Sequence, residues 1–453
     1  MTKVLLLNPP SKLMLYKEDL RCQNDADDLI HNIIRPPITL MYLAAISEQL
    51  GFQTKLIDAP VEGIELNQLK KILEFWKPDW VAANTSIQTL ESDLAVLKIA
   101  KENNVKTITF GYAPTINGIE ILKNTNYIDF LIRGEPEKPF QEIIQGTLPL
   151  KDIEGLTYRE NDEIQQNKER NFLQNLDELP FPSHHLIRHD LYRVPTTGEI
   201  FTTIQTSKGC PNHCTFCLSN ILNGRKVRKR NIANIIEEIK LVTTNLHIKN
   251  FFFRADTFTF DKQWILQLCQ AIIKNNLRIR WFCNSRVDTI DSEMLSAMKK
   301  AGCYYICFGV ESGNSEILKY IRKGITKAQS KQAIQLAKNF GIVTAAVYII
   351  GLPGDTLNSI HETIQFSKEV DSDLAEFIPY IQFPGIEALH QTLPKVQPSL
   401  VRKLRKYAFI QFYFRPKILL KLIHRFYLKN QGLSQLFNLI LVSVKTVSRI
   451  FKK

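Results

Sequence analysis

Three cysteines in one short stretch offer the clearest chemistry in this chain. Cys210, Cys214 and Cys217 lie in the run CPNHCTFC, after a short β-like stretch. Soft thiolates are the usual ligands of iron–sulfur clusters, and a loop of this length can bring three sulfurs to one cluster. Three protein ligands leave the fourth iron open. The spacing therefore predicts a four-iron cluster with one iron available for chemistry.

Zinc is the main alternative ligand for these thiols. A structural zinc site usually has a fourth thiolate or imidazole nearby, and the close candidate, His213, lies inside the loop between two of the cysteines. A disulfide is less favoured, because the N-terminus lacks the apolar run of an export signal and eight cysteines then fit a reducing compartment. We expect a cytoplasmic protein with a cluster.

The loop, with aromatic Phe216 just before its last cysteine, resembles the cluster loop of the radical S-adenosylmethionine (SAM) superfamily. The resemblance implies that SAM chelates the open iron through its amino and carboxylate groups, with Phe216 among the cofactor-binding residues. An electron from an external reductant then cleaves the sulfonium, and the resulting 5′-deoxyadenosyl radical abstracts hydrogen from an unactivated carbon. The cofactors carry this chemistry, while the protein supplies position and excludes water.

Six strand–helix units between residues 201 and 384 predict a partial (βα)6 barrel. Barrels of this kind place their active sites at the carboxyl ends of the strands, so the residues after each strand are the candidates. The predicted strands are Thr202–Thr206, Asn250–Arg254, Arg280–Cys283, Tyr304–Gly309, Thr344–Ile350 and Leu374–Pro379.

Three charged residues follow the second, third and fourth of these strands. Asp256 resembles the family's acidic position near SAM, with a helix N-cap or turn as the alternative. Arg286 could hold a carboxylate of SAM or substrate bidentately, or form a structural ion pair. Glu311, in GVESG, closely matches the family's ribose-binding segment, where a carboxylate accepts hydrogen bonds from both ribose hydroxyls.

Four further residues of the barrel are of interest. Gly351 begins the turn GLPGDT, where glycine allows close backbone contact with adenine or substrate, although a tight turn explains it equally well. Tyr380 follows the last strand and is the one catalytic candidate, as a cavity-lining residue. Cys303 and Cys307 share a C-x-x-x-C spacing but lie in the apolar run CYYICFGV, which favours buried structural thiols over a second metal site.

The first 140 residues alternate short apolar runs with helical stretches. A helix at Ile38–Leu50, ending at Gly51, separates the first two strands, which predicts a doubly wound, Rossmann-like parallel sheet. Ligands of such sheets lie at the carboxyl ends of the strands. The five predicted strands are Val4–Leu7, Thr54–Ile57, Trp80–Ala83, Thr107–Phe110 and Phe130–Ile132.

This half resembles the cobalamin-binding domain that precedes the radical SAM domain in one large subfamily. The fragments LLLNPP, RPPITLMYLAA, LIDAP and IRGEPEKPF carry the resemblance. The chain contains no D-x-H-x-x-G, so cobalamin should bind with its base detached and no histidine in its place. The family's usual Gly-Gly is Gly111-Tyr112 here, which puts a bulky side chain near the expected cofactor. The alternative is a Rossmann-like domain that has lost its cofactor.

These patterns predict an α/β protein in four parts. They are a cobalamin-binding-like domain (1–140), a connector (141–199), a radical SAM barrel (200–385) and a basic helical tail (386–453). In the connector, His184, His185 and His189 lack acidic or cysteine partners at metal spacing. We therefore expect surface or packing roles for these histidines.

The tail carries the net charge of +13. Residues 401–453 contain thirteen Lys and Arg and no Asp or Glu. Lys417–Lys429 has an apolar face, whereas Leu433–Phe451 is too interrupted by polar residues to span a bilayer. We expect peripheral contact with the anionic inner face of the membrane. Packing on the barrel is the alternative, and nucleic-acid binding is less favoured.

The combination predicts a cobalamin-associated radical SAM enzyme that methylates an unactivated carbon of a lipid, isoprenoid or other apolar substrate. A radical cyclase, oxidase or carbon–carbon coupling enzyme is the first alternative. An RNA methylthiotransferase is disfavoured, because Cys22 is the only cysteine before Cys210. The remaining alternative is a non-enzymatic iron–sulfur or zinc-binding protein.

Overall fold

The computed structural model describes residues 1–11, 34–195, 197–386, 396–418 and 420 of the 453-residue chain. It contains two large, mainly parallel β-sheets flanked by helices, followed by one C-terminal helix. The predicted α/β class, with a Rossmann-like sheet ahead of a six-stranded partial barrel, is confirmed.

The first sheet has the strand order β2-β1-β3-β4-β5-β6-β7, with β1 to β5 parallel. Because β1 lies between β2 and β3, the strand order reverses at β1, which is the arrangement of a doubly wound sheet. Its elements are β1 (Lys3–Asn8), α1 (Ile38–Gln49), β2 (Gln53–Asp58), α2 (Ala59–Glu62), α3 (Leu66–Trp76), β3 (Trp80–Thr85), α4 (Leu90–Glu102), β4 (Lys106–Gly111), α5 (Tyr112–Lys123), β5 (Phe130–Ile132), α6 (Glu137–Gln145), β6 (Leu156–Glu160) and β7 (Glu163–Gln166).

The segment predicted as a connector continues this sheet. Strands β6 and β7 lie within residues 141–199 and pair antiparallel, β6 with β5 and β7 with β6. Asn161 and Asp162 join them with positive φ angles of 49° and 63°. Two left-handed residues are what a type I′ hairpin turn requires. The sheet therefore extends beyond residue 140, into the segment predicted as a connector.

The second sheet has the order β15-β14-β13-β12-β11-β8, with every pair parallel. A two-residue antiparallel pair, β9 with β10, flanks the cysteine loop. The elements are β8 (Thr202–Gln205), β9 (Ser207–Lys208), α7 (Ser219–Asn223), β10 (Arg228–Lys229), α8 (Ile232–Asn245), β11 (Asn250–Arg254), α9 (Lys262–Lys274), β12 (Arg280–Arg286), α10 (Ser292–Lys300), β13 (Cys303–Glu311), α11 (Ser315–Tyr320), α12 (Lys327–Asn339), β14 (Val343–Ile350), α13 (Leu357–Val370), β15 (Leu374–Pro379) and α14 (Pro398–Tyr413).

Helix α14 lies in the predicted tail but packs on the barrel. It buries Leu404, Ala408 and Phe412 in the same core as β15. The Tyr413 hydroxyl accepts from the N–H and donates to the carbonyl of Ala375, both at 2.9 Å. This part of the tail therefore takes the packed arrangement that we set out as an alternative.

Most of the remaining tail predictions fall outside the described residues. These include Leu433–Phe451 and all of the predicted helix Lys417–Lys429 beyond residue 420. Among the residues that the structure describes, no helix is both long enough and apolar enough to cross a membrane.

Candidate active site

The cysteine loop begins directly after β9 and is fixed by backbone contacts. Gly209 has a φ of 94°, and a Cβ there would lie 2.1 Å from the carbonyl oxygen of Lys226. Only glycine avoids this clash. The N–H of Cys210 donates to the carbonyl of Gly224 at 3.1 Å, and the N–H of Thr215 donates to the carbonyl of Ile321 at 3.1 Å. The loop is therefore attached to both sides of the barrel mouth.

Asp256 lines the site and also holds this loop. Its Oδ2 accepts the N–H of Gly209 at 2.7 Å, and its Oδ1 accepts from Nδ2 of Asn223 at 3.2 Å. Both carboxylate oxygens thus contact the segments on either side of the cysteines. The structure gives Asp256 a positioning role that the sequence did not indicate, and its contact with SAM remains a prediction.

The three thiols line one cavity, and each has a hydrogen-bond donor nearby. Nδ2 of Asn212 lies 3.3 Å from Sγ of Cys210, and the N–H of Ser219 lies 3.5 Å from Sγ of Cys217. Nη1 of Arg286 lies 3.9 Å from Sγ of Cys214, whose pKa is raised by burial. Donors to cluster sulfurs stabilise their negative charge and tune the reduction potential.

This donor set fits an iron–sulfur cluster. Three thiolates on one loop face a cavity that also contains charged groups, and the barrel mouth leaves room for a ligand beside them. Within the described ranges, no group of three or more His, Cys, Asp or Glu is arranged to hold a single metal ion. Cys210, Cys214 and Cys217 would hold three irons of the cluster.

Glu311 forms a buried ion pair at the carboxyl end of β13. Its Oε1 accepts from Nζ of Lys323 at 2.6 Å, and both side chains are more than 90% buried. Glu311 also has a φ of 69°, an uncommon conformation for a residue with a side chain. A Cβ at Gly309 would lie 2.5 Å from Oε1 of Glu311. Strained backbone of this kind concentrates at functional sites.

The guanidinium of Arg286 is already bidentately paired within the chain. Nε and Nη2 donate to the two carboxylate oxygens of Asp288, each at 2.8 Å, and Nη2 also donates to the carbonyl of Lys323 at 2.8 Å. Burial alone would lower the pKa of Arg286, but Asp288 outweighs it and the pKa is raised. The structural ion pair that we considered as an alternative is therefore present, at the edge of the cavity.

Gly351 lies outside the set of residues that line this cavity. Its φ is 86°, and a Cβ there would lie 2.8 Å from Cγ2 of Val401 on α14. Its N–H donates to Oδ2 of Asp355 at 3.1 Å, as does the N–H of Leu352 at 2.9 Å. These contacts match the tight-turn interpretation. Burial raises the pKa of Asp355 to about 6.

The wall of the cavity on the β14 and β15 side is mostly apolar. It is formed by Val347, Ile349, Ile378, Pro379, Tyr380, Ile381 and Phe383. Phe216 and Tyr380 pack in one apolar cluster with Ile349. Tyr380 therefore lines the cavity, as predicted from its position after the last strand.

Cys307 also lines the cavity, which corrects the prediction that it is a buried structural thiol. Cys303 is buried as predicted. The two cysteines differ in exposure because β13 contains one extra residue where it pairs with β12. Trp281 pairs with Cys303, but the next residue, Phe282, pairs with Tyr305. Side chains along a strand alternate between its two faces, and an extra residue interrupts this alternation. Cys303 and Cys307 are four residues apart but therefore lie on different faces of β13.

A buried ion-pair network connects the cysteine loop to the first sheet. Nζ of Lys208 lies 2.6 Å from Oε1 of Glu137 and 3.4 Å from Oε1 of Glu135. Nη1 of Arg228 lies 2.9 Å from Oε2 of Glu135. Burial alone would lower the pKa of Lys208, but the two glutamates outweigh it and the pKa is raised. Sequence reasoning did not identify this network, because its partners lie far apart in the chain.

The carboxyl edge of the first sheet presents polar groups and faces the barrel. Oδ1 of Asn8 is buried and has no hydrogen-bond partner within the described part of the chain, while its Nδ2 donates to Oδ1 of Asp58 at 3.2 Å. A corrin carries amide groups on its rim, and the N–H of such a group could donate a hydrogen bond to this buried carbonyl oxygen. The residues at this edge therefore fit a cobalamin, and Asn8 is the group that would contact it.

Tyr112, the bulky residue of this edge, contacts the barrel. Its ring packs perpendicular to Phe383 at 5.5 Å, and its hydroxyl donates to the carbonyl of Pro384. A Cβ at Gly111 would lie 2.4 Å from Oδ1 of Asn84, so this preceding position needs glycine. The tyrosine thus forms part of the contact between the first sheet and the barrel.

The three histidines differ in environment. His184 is buried, with Nε2 2.9 Å from Oε1 of Glu238, whereas His185 is exposed. Nε2 of His189 lies 2.8 Å from the carbonyl of His184, and burial lowers the pKa of His189 to about 4. These are packing and surface positions.

Comparison with known families agrees with this architecture. The family model described as Radical SAM superfamily matches residues 204–367, and the model described as B12 binding domain matches residues 34–144. The first range contains the three cysteines, and the second contains β2 to β5. The two matches occur in the order expected from the sequence.

Relatives extend the similarity over nearly the whole chain. An uncharacterized methyltransferase of Pyrococcus horikoshii is 31% identical, over 92% of this chain and 94% of that protein. The anaerobic magnesium-protoporphyrin IX monomethyl ester cyclase of Rubrivivax gelatinosus is 27% identical, over 84% of this chain and 70% of that protein. The fold is shared with the cobalamin-dependent SAM radical enzyme OxsB, with a TM-score of 0.66 and 20% identity over 89% of this chain, which spans 55% of OxsB. The chain therefore belongs to the radical SAM superfamily, with a B12-binding domain ahead of the radical SAM domain.

Proposed function

We propose that this enzyme methylates an unactivated carbon of an apolar substrate such as a lipid or isoprenoid. The observation that carries this proposal is the aliphatic and aromatic wall of β14 and β15, which lines the same cavity as the three cysteines. Ligand sites are usually apolar surfaces with a few polar groups that fix orientation. Here the polar groups lie on the cysteine side, and the apolar wall is left for the substrate.

Cys210, Cys214 and Cys217 would hold a cluster that passes an electron from an external reductant to SAM, and the B12-binding domain would hold a carrier for the methyl group. The residues of the chain bind and orient. Glu311 accepts hydrogen bonds from the ribose of SAM, and Lys323 holds that carboxylate in place through its 2.6 Å contact. Asp256 keeps the cysteine loop in position, and Phe216 covers the nucleoside. The apolar wall excludes water from the reacting carbon.

A radical ring closure, oxidation or carbon–carbon coupling is the second candidate. The cyclase of Rubrivivax gelatinosus, 27% identical to this chain, supports it. The same cavity serves either reaction. Methylation adds a methyl group to the product, whereas ring closure or oxidation removes hydrogen, so product mass separates the two.

We also propose that the enzyme reaches its substrate at an anionic membrane surface, through the outer face of α14. Leu400, Tyr407 and Phe414 are at least 37% exposed on this face, beside the exposed Lys403 and Lys406. Apolar side chains flanked by lysines suit the interface of an anionic bilayer. Residues 396–420 contain no acidic residue that would oppose this contact.

The test of the proposed reaction uses the anaerobically reconstituted holoenzyme with a reductant and SAM carrying a deuterated methyl group. Whole extract of the source cells, separated after the reaction into lipid and water-soluble fractions, is the substrate pool. We expect a lipid or isoprenoid species that gains the labelled methyl group. Products that lose hydrogen without gaining label would favour the second candidate, and label confined to water-soluble compounds would contradict the apolar substrate.

A further inference from the structure

Tyr380 lines the cavity, and its hydroxyl is buried without a hydrogen-bond partner among the described residues. Buried hydroxyls almost always have a partner, and an exception calls for an explanation. Here the missing partner would lie in the cavity.

Contacts within the barrel fix the position of this hydroxyl. The backbone N–H of Tyr380 donates to the carbonyl of Ile350 at 2.8 Å, which continues the pairing of β14 with β15. Its ring packs in the apolar cluster that contains Phe216 and Ile349. The ring is therefore fixed at the mouth of the barrel, on the wall assigned to the substrate.

The hydroxyl acts as a donor at neutral pH. Burial raises the pKa of Tyr380 to about 12, so the phenol keeps its proton. The side chains around it on this wall are aliphatic or aromatic, as far as the described residues show. A single donor on an otherwise apolar wall selects a ligand with one acceptor atom in an apolar skeleton.

We propose that Tyr380 is a specificity-determining residue that donates a hydrogen bond to an oxygen atom of the substrate. The substrate class is then an apolar molecule with a carbonyl, hydroxyl or ether oxygen, and the hydrogen bond positions its carbon skeleton toward the cysteine loop. The inference rests on the proposed function, since it assumes that the apolar wall binds the substrate. SAM also carries acceptor atoms, so the test must separate the two ligands.

The experiment compares two probes of nearly the same shape, 2-acetylnaphthalene and 2-isopropenylnaphthalene, which differ in having C=O or C=CH2. Their binding to the cofactor-loaded enzyme is measured by probe fluorescence, and SAM binding is measured by equilibrium dialysis. Tyr380→Phe removes only the hydroxyl. Tyr127→Phe, at a partly buried tyrosine packed against the core of the first sheet, is the matched control.

We expect the wild-type enzyme and Tyr127→Phe to bind the ketone roughly tenfold more tightly than the alkene. Tyr380→Phe should bind the two probes about equally, with unchanged SAM affinity and cluster absorbance. Equal binding of both probes by wild type, or a preference that survives in Tyr380→Phe, would overturn the inference. Weaker SAM binding by Tyr380→Phe would also overturn the inference, because it would show that the hydroxyl binds SAM.

Failure of the proposed function gives a different result. If neither probe binds the wild-type enzyme while SAM still binds, the apolar wall is not a substrate site, and both the proposed substrate class and this inference are wrong. If both probes bind without discrimination, the proposed function stands and only the role of Tyr380 is wrong. The wild-type comparison decides this point even if Tyr380→Phe fails to fold.

Discussion

Nζ of Lys208 lies 2.6 Å from Oε1 of Glu137, and this buried pair joins the strand before the cysteine loop to the first turn of α6 in the B12-binding domain. Lys208 is two residues from Cys210. The B12-binding domain therefore also holds the cysteine loop that would bind the iron–sulfur cluster. The position of one domain therefore influences the geometry of the other site.

Glu137→Ala should destabilise the protein strongly. The change leaves Lys208 buried beside one weaker partner, Glu135 at 3.4 Å. Breaking a buried pair from one side costs about 3–5 kcal/mol. Urea denaturation of the apoprotein should show this loss, and the variant should retain less iron after reconstitution. Glu369→Ala, which removes an exposed pair with Lys331, should cost less than about 1 kcal/mol. Similar costs for the two variants would contradict the role of the buried pair.

Glu311→Gln should weaken SAM binding while the cluster is retained. The amide keeps the shape of the side chain but removes the charge that pairs with Lys323 and that we propose accepts hydrogen bonds from the ribose of SAM. Hydrogen bonds to charged groups contribute about 1.5–3 kcal/mol, which corresponds to a loss of affinity of roughly 10- to 100-fold. Equilibrium dialysis with reconstituted protein measures the affinity, and iron content serves as the control. Wild-type affinity in this variant would remove Glu311 from the SAM site.

The Asp355 turn predicts a pH dependence of stability. Burial raises the pKa of Asp355 from 3.8 to about 6, so the folded state binds this proton more tightly than the unfolded state. The contribution to stability is fully present below pH 3.8 and is lost as the pH rises through 6. Relative to Asp355→Asn, the wild-type free energy of unfolding should fall by about 2–3 kcal/mol between acidic and neutral pH. A difference between the two proteins that is independent of pH would show that Asp355 is not perturbed.

The membrane proposal predicts that charge reversal on α14 releases the enzyme from vesicles. Lys403→Glu with Lys406→Glu should weaken binding to phosphatidylserine-containing vesicles, because each basic residue near the surface contributes about 1 kcal/mol. Flotation assays at low salt measure the bound fraction. Lys70→Glu with Lys71→Glu on α3 is the matched control, since these lysines are also exposed. Equal flotation of both double variants would remove α14 from the membrane contact.

Much of this architecture follows from local sequence patterns, since the five parallel strands of the seven-stranded first sheet and all six strands of the barrel sheet lie where apolar runs placed them. The features that were missed depend on tertiary contacts. Lys323 lies twelve residues after Glu311, with α11 between them, and no local pattern indicates that they meet. The orientation of Cys307 depends on an extra residue in β13 that is visible only in the strand pairing.

We infer that Cys210, Cys214 and Cys217 hold a cluster that cleaves SAM in this enzyme. The test is the yield of 5′-deoxyadenosine from the reduced, anaerobically reconstituted protein, compared with Cys214→Ala. The wild-type protein should bind one four-iron cluster and form 5′-deoxyadenosine, and the variant should lose both properties. Cleavage of SAM by Cys214→Ala at the wild-type rate would show that these cysteines do not hold the reactive cluster.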